Sequence, residues 1–60
     1  KRNKFIRYLN ENNVGFIKHG AKHDKFMNHK NGKKSYLPRH SDVDEDLCDL
    51  ICRQLGIPKP

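Results

Sequence analysis

Acidic residues are scarce in most of this chain. Residues 1 to 40 hold eleven Lys and Arg against only Glu11 and Asp24, a net of +9, whereas residues 41 to 60 hold two cations against five acids. Long apolar runs are missing as well. Nothing approaches the roughly 20 consecutive apolar residues that cross a bilayer, and no secretory apolar segment is present. The expectation is a soluble cytoplasmic protein without membrane association. Cysteine is limited to Cys48 and Cys52, four apart in a segment with helical periodicity. One helical turn aims two thiols poorly for a disulfide, so both are expected to be reduced.

Metal-ligand spacings are lacking too. The chain has four histidines and two cysteines, but no C-x-x-C pair and no H-x-x-x-H on an expected helix. His19 and His23 have the latter spacing only across a turn, where it defines no common face. No metal and no cofactor is expected. With 60 residues, the chain is read as a single domain, 1–60, with a thin core, because a domain this short buries only about 60% of its unfolded surface.

What is abundant is positive charge. A basic region on a small domain is what phosphate binding requires, since cations that neutralise phosphates release condensed counterions. The competing reading is a solvated surface that keeps a small protein soluble.

Along the chain, "NKFIRYLNENN" places Phe5, Ile6, Tyr8 and Leu9 at helical spacing, with Asn3 as N-cap and Asn12 and Asn13 as stop. "VGFIKHG" from Val14 is β-branched and aromatic, and reads as a strand. "KHDKFMNHK" and "KKSYLP" flank Asn31-Gly32, the sequence of a type I′ hairpin turn. A two-residue loop there sets Lys30 opposite Lys33, Met27 opposite Tyr36 and Phe26 opposite Leu37. Strand alternation then sorts Asp24, Phe26, Asn28, Ser35 and Leu37 to one face, and His23, Lys25, Met27, His29, Lys34 and Tyr36 to the other. Burying two histidines and two lysines costs more than exposing Met27 and Tyr36, so the second face is the open one.

After "LPRH", acids at Asp42, Asp44, Glu45 and Asp46 suit a helix N-terminus. Val43, Leu47, Leu50, Ile51 and Leu55 recur at helical spacing beside the cysteines, and Gly56 and Pro58 end the helix. The expected fold is α+β with element order α-β-β-β-α: a three-stranded antiparallel sheet with both helices on one face.

The stretch "HGAKHDKF", residues 19 to 26, is unlike an ordinary core strand. Together with "GFIKHG" before it, the Asn-Gly hairpin, "Pro38-Arg39-His40" and the final amphipathic helix, it resembles the HicA (YcfA-like) family of bacterial toxins over essentially the full chain. The resemblance implies a fold similar to a double-stranded-RNA-binding domain. It implies messenger-RNA interferase activity, and neutralisation by a HicB-like antitoxin. The family's mark, Gly-Ser-His at the start of the second strand, corresponds here to Gly20-Ala21-Lys22-His23, without the serine. The catalytic histidine carried over is His23.

The chemistry is consistent with these residue types. RNA carries its own nucleophile in the 2′-OH. Cleavage therefore needs a base, positive charge for the phosphorane and a proton donor for the leaving 5′-oxygen, and histidine can serve near neutral pH. Lys22, Lys25, Lys34 and Arg39 are candidate phosphate contacts, and Tyr36 offers a ring for an unpaired base. His19, His29 and His40 are each candidates for a second proton-transfer group, with plain surface histidine as the default reading. Asp24 adjoins His23 in sequence but points to the opposite face. The alternative function is a non-catalytic RNA-binding module of double-stranded-RNA-binding-domain type.

Overall fold

A computed structural model of the chain describes residues 2–39 and 42–60; Lys1, His40 and Ser41 lie outside the described residues. The elements follow in the order α1 (Arg2–Glu11), β1 (Val14–His19), β2 (His23–Asn28), β3 (Lys34–Pro38) and α2 (Glu45–Leu55). The strands form one antiparallel sheet in the order β1-β2-β3.

Helix α1 buries Phe5 and Leu9. It is already running at Arg2, so Asn3 lies inside the first turn and is not the cap expected from sequence. The asparagines after it do stop it. Asn12 N–H donates to the Leu9 carbonyl at 2.9 Å, and Asn13 takes the left-handed conformation (φ 66°), which asparagine tolerates better than most residues.

Helix α2 begins at Asp44, whose Oδ1 accepts the Leu47 N–H at 2.8 Å. It ends in a Schellman motif. Gly56 sits at φ 73°, its N–H donating to Arg53 O at 3.2 Å while Ile57 N–H donates to Cys52 O at 3.0 Å. The buried stripe is Ile51, Cys52 and Leu55, with Leu47 and Cys48 half-buried. Leu50, expected on that stripe, is 45% exposed. The two cysteines draw the centre of the stripe toward their own side, and Leu50 falls beyond its opposite edge. Both cysteines are free thiols.

Alternation along β2 buries Asp24, Phe26 and Asn28 and leaves His23 on the open side. Both helices cover the first face, and the core between them and the sheet is Phe5, Leu9, Val14, Phe26, Leu37, Ile51, Cys52 and Leu55.

The β2–β3 register differs from the sequence expectation by two residues. Met27 pairs with Lys34, Phe26 with Ser35, Lys25 with Tyr36 and Asp24 with Leu37. A type I′ turn needs positive φ at both Asn31 and Gly32, and only Gly32 has it, at 76°. The innermost bonded pair is instead Asn28 N–H to Lys33 O at 2.8 Å, with Gly32 N–H returning to Asn28 O at 2.8 Å. Residues 29–32 thus form a four-residue loop. Asn28 Oδ1 accepts the Lys30 N–H and Asn31 Oδ1 the Lys33 N–H, while both side-chain amides donate to the Leu55 carbonyl at the end of α2. An even shift preserves the faces, so the open face is the one alternation assigns.

Candidate active site at the head of the second strand

The β1–β2 connection is short. Gly20 N–H donates to the His23 carbonyl at 2.7 Å, and a Cβ at Gly20 would stand 2.8 Å from that same oxygen. No side chain fits there without moving the strand. This glycine sets how closely the turn folds onto the head of β2.

A β-bulge then decides where His19 points. Phe16 pairs with Phe26, but Lys18 pairs with Lys25 and His19 with Asp24, so one extra residue is accommodated on β1 between Phe16 and Lys18. Simple alternation from Val14 and Phe16 would turn His19 to the open face. The bulge brings it to the side of Asp24, and its Nδ1 lies 2.7 Å from Asp24 Oδ1.

Asp24 is only 6% exposed and serves three cationic or donor groups. Oδ1 also accepts from Arg39 Nη1 at 2.7 Å, and Oδ2 accepts from Arg2 Nη2 at 2.8 Å. These partners, His19 foremost and then Arg39 and Arg2, outweigh burial and hold the carboxyl at about 2. Arg2 Nε also donates to Pro38 O at 2.8 Å, tying the start of α1 to the end of β3. Arg39 does the same for the turn: its Nη2 donates to Gly20 O at 2.6 Å and Ala21 O at 2.8 Å. One buried carboxylate therefore organises both ends of the β1–β2 turn through an arginine fork.

The result is a fixed platform carrying His23. His23 is exposed on the open face, in a hollow of about 400 Å³ lined by Gly20, Ala21, Lys22, His23 and Tyr36. The observed register matters here. The expected pairing would have left Tyr36 across from Met27; the actual one moves it across from Lys25, two residues nearer to His23.

The sequence candidates thus separate into groups. Lys22, His23 and Tyr36 line one hollow, with Lys25 half-buried beside Tyr36 on the same face. Lys34 is exposed further along the sheet, opposite Met27. Arg39, a candidate phosphate contact, commits both of its terminal nitrogens to Asp24 and the turn. His29 lies in the loop at the far end of β2, its backbone bonded to Asn13 and its ring against Gly15. His40 lies outside the described residues.

From the sequence, His19 is a candidate only for proton transfer, Asp24 is set on the face away from His23, and Arg2 is given no part in the site; the structure joins all three in one cluster. The signal was present: an acid on the inward face of a strand needs partners, and Arg2 and Arg39 were available to supply them.

A larger hollow of about 470 Å³ lies away from His23, bordered by Lys4, Phe5, Arg7, Tyr8, Glu11, Cys48 and Pro60. Burial pushes the Cys48 thiol up, which makes it a poor nucleophile. Among the described residues, no group of three or more His, Cys, Asp or Glu is placed to hold a metal ion, and no helix is long and apolar enough to cross a membrane. No family model, curated protein or solved structure matches this chain.

Proposed function

We propose that this chain is an endoribonuclease acting on messenger RNA without a metal ion, the toxin of a type II toxin–antitoxin pair working in the bacterial cytoplasm. The observation that carries this reading is His23, exposed at the head of β2 in a hollow with Lys22 and Tyr36 and backed by the Asp24–Arg39 clamp. The resemblance of "GAKHDKF" and "PRH" to the HicA pattern supports it.

His23 takes the proton of the ribose 2′-OH as the 2′-oxygen attacks the adjacent phosphorus. Lys22, and Lys25 across from Tyr36 on the same face, supply positive charge where the phosphorane oxygens gain negative charge. The bond to the 5′-oxygen breaks, and that oxygen takes a proton from water, to which His23 returns the one it removed. The nucleophile belongs to the substrate, so the scheme needs no metal-bound water. Tyr36, 55% exposed, offers its ring to an unpaired base. The restraining partner is a HicB-like antitoxin with acidic groups that covers the basic face; charge complementarity would speed its docking.

The test is cleavage of a long single-stranded RNA in EDTA by the wild-type chain and by His23→Ala, purified identically. Cutting by the first alone supports the proposal. Equal cutting rejects His23 as the catalytic group. Absence of cutting with salt-sensitive binding retained in both leaves a non-catalytic RNA-binding module.

A further inference from the structure

β1 lies at the edge of the sheet, and Phe16 and Ile17 at its bulge are 48% and 40% exposed. Phe16 pairs with Phe26 and so belongs to the helix-covered side, opposite to the face that carries His23. Its ring is braced edge-on against the buried Phe26, centroids 6.0 Å apart at 77°. On its other flank is His19, centroids 4.7 Å apart at 54°. The His19 side chain is 71% exposed but held through Nδ1 by Asp24, which leaves Nε2 as the ring nitrogen for an outside group.

The electrostatics around this ring pair are unbalanced. Two guanidiniums, from Arg2 and Arg39, converge on the single Asp24 carboxylate, so the cluster keeps surplus positive charge even with His19 neutral. Arg39 is 38% exposed and carries that charge to the surface. A braced aromatic face, a fixed imidazole and surplus positive charge are the elements that hold one unpaired nucleotide, through base stacking and phosphate attraction. Phe16, Ile17 and His19 together offer far less than the roughly 800 Å² per partner that a stable protein interface buries.

We propose that Phe16 and His19, with charge from Arg39, form a second nucleotide subsite for single-stranded RNA. It lies on the opposite side of the β1–β2 turn from His23. The base stacks on Phe16, its ribose 2′-hydroxyl donates to His19 Nε2 and a backbone phosphate is drawn by the Arg39 charge, so the RNA strand crosses the narrow Gly20–Lys22 turn with one nucleotide on each side. This rests on the ribonuclease reading and adds to it a bend in the bound strand.

The experiment uses the His23→Ala chain, isotopically labelled and titrated with a short single-stranded RNA while amide and side-chain shifts are followed. Affinities are measured in parallel for Phe16→Leu, which keeps apolar contact with Phe26 but removes the stacking face. The expected result is RNA-induced shifts at Phe16 and His19 as well as at Lys22, Lys25 and Tyr36. Phe16→Leu should weaken binding about fivefold or more, the smaller end of one base–aromatic stack. Shifts confined to the Lys25 and Tyr36 face, or an unchanged affinity of Phe16→Leu, overturn the subsite and leave the ribonuclease reading standing. No RNA-induced shift anywhere overturns both.

Discussion

Asp24 and Arg39 are 15 residues apart in sequence and meet at 2.7 Å, and the same guanidinium reaches back to the carbonyls of Gly20 and Ala21. The arginine therefore joins the end of β3 to the turn that presents Lys22 and His23. Its geometry makes it a positioning residue for that turn, a different role from the phosphate contact suggested by its charge alone.

The two roles predict different kinetics for Arg39→Lys. Lysine keeps the charge but cannot bridge a carboxylate and two carbonyls with a planar fork. Loss of positioning should lower single-turnover cleavage roughly 10- to 100-fold while RNA affinity stays nearly constant. Weaker binding with unchanged cleavage at saturation would mark Arg39 as a phosphate ligand instead.

Acid should undo the same clamp. The Asp24 carboxyl sits at about 2 in the folded chain against an ordinary 3.8, so the unfolded chain binds the extra proton first as pH falls. The clamp's contribution is complete above pH 4 and disappears as pH drops through about 2. Thermal unfolding of the wild type should show a fall in Tm across that window that is smaller in Asp24→Asn. Parallel curves for the two proteins would show that the clamp adds no pH-dependent stability.

Two glycines separate stability from activity. Gly32→Ala meets no neighbour but must hold φ 76°, a cost of about 1 kcal/mol, and lies in the loop at the far end of β2. Gly20→Ala places a methyl 2.8 Å from the His23 carbonyl. Urea titration should find Gly32→Ala destabilised with cleavage intact, while Gly20→Ala loses cleavage out of proportion to its stability. A normal cleavage rate in Gly20→Ala would mean that the turn tolerates displacement.

The phase of α2 can be checked by a pair of leucines. Leu55 is fully buried in the core, and Leu55→Ala should cost about 2–5 kcal/mol. Leu50 is 45% exposed, and Leu50→Ala should stay within about 0.5 kcal/mol of wild type in equilibrium unfolding. Similar losses from both would place Leu50 in the core after all.

Element order, strand faces and the exposure of His23 were legible in the sequence because they follow from local periodicity. Apolar residues at helical spacing define α1 and α2, and alternation sorts β2 whatever its pairing. Pairing is another matter. Asn31-Gly32 reads locally as a two-residue turn, yet the amides of Asn28 and Asn31 both bond to the Leu55 carbonyl of α2, and the loop opens to four residues. That carbonyl belongs to a helix more than twenty residues downstream.

The bulge on β1 and the cluster on Asp24 have the same origin. Sequence by itself determined which residues face the open side of the sheet and that an acid stood on the other side needing partners. Only the tertiary structure decided that Tyr36 would stand near His23, that His19 would turn toward Asp24, and that Arg39 would brace the turn. Local periodicity acts through neighbouring residues, whereas register, bulge and buried charge are settled by groups that meet only after the chain has closed on itself.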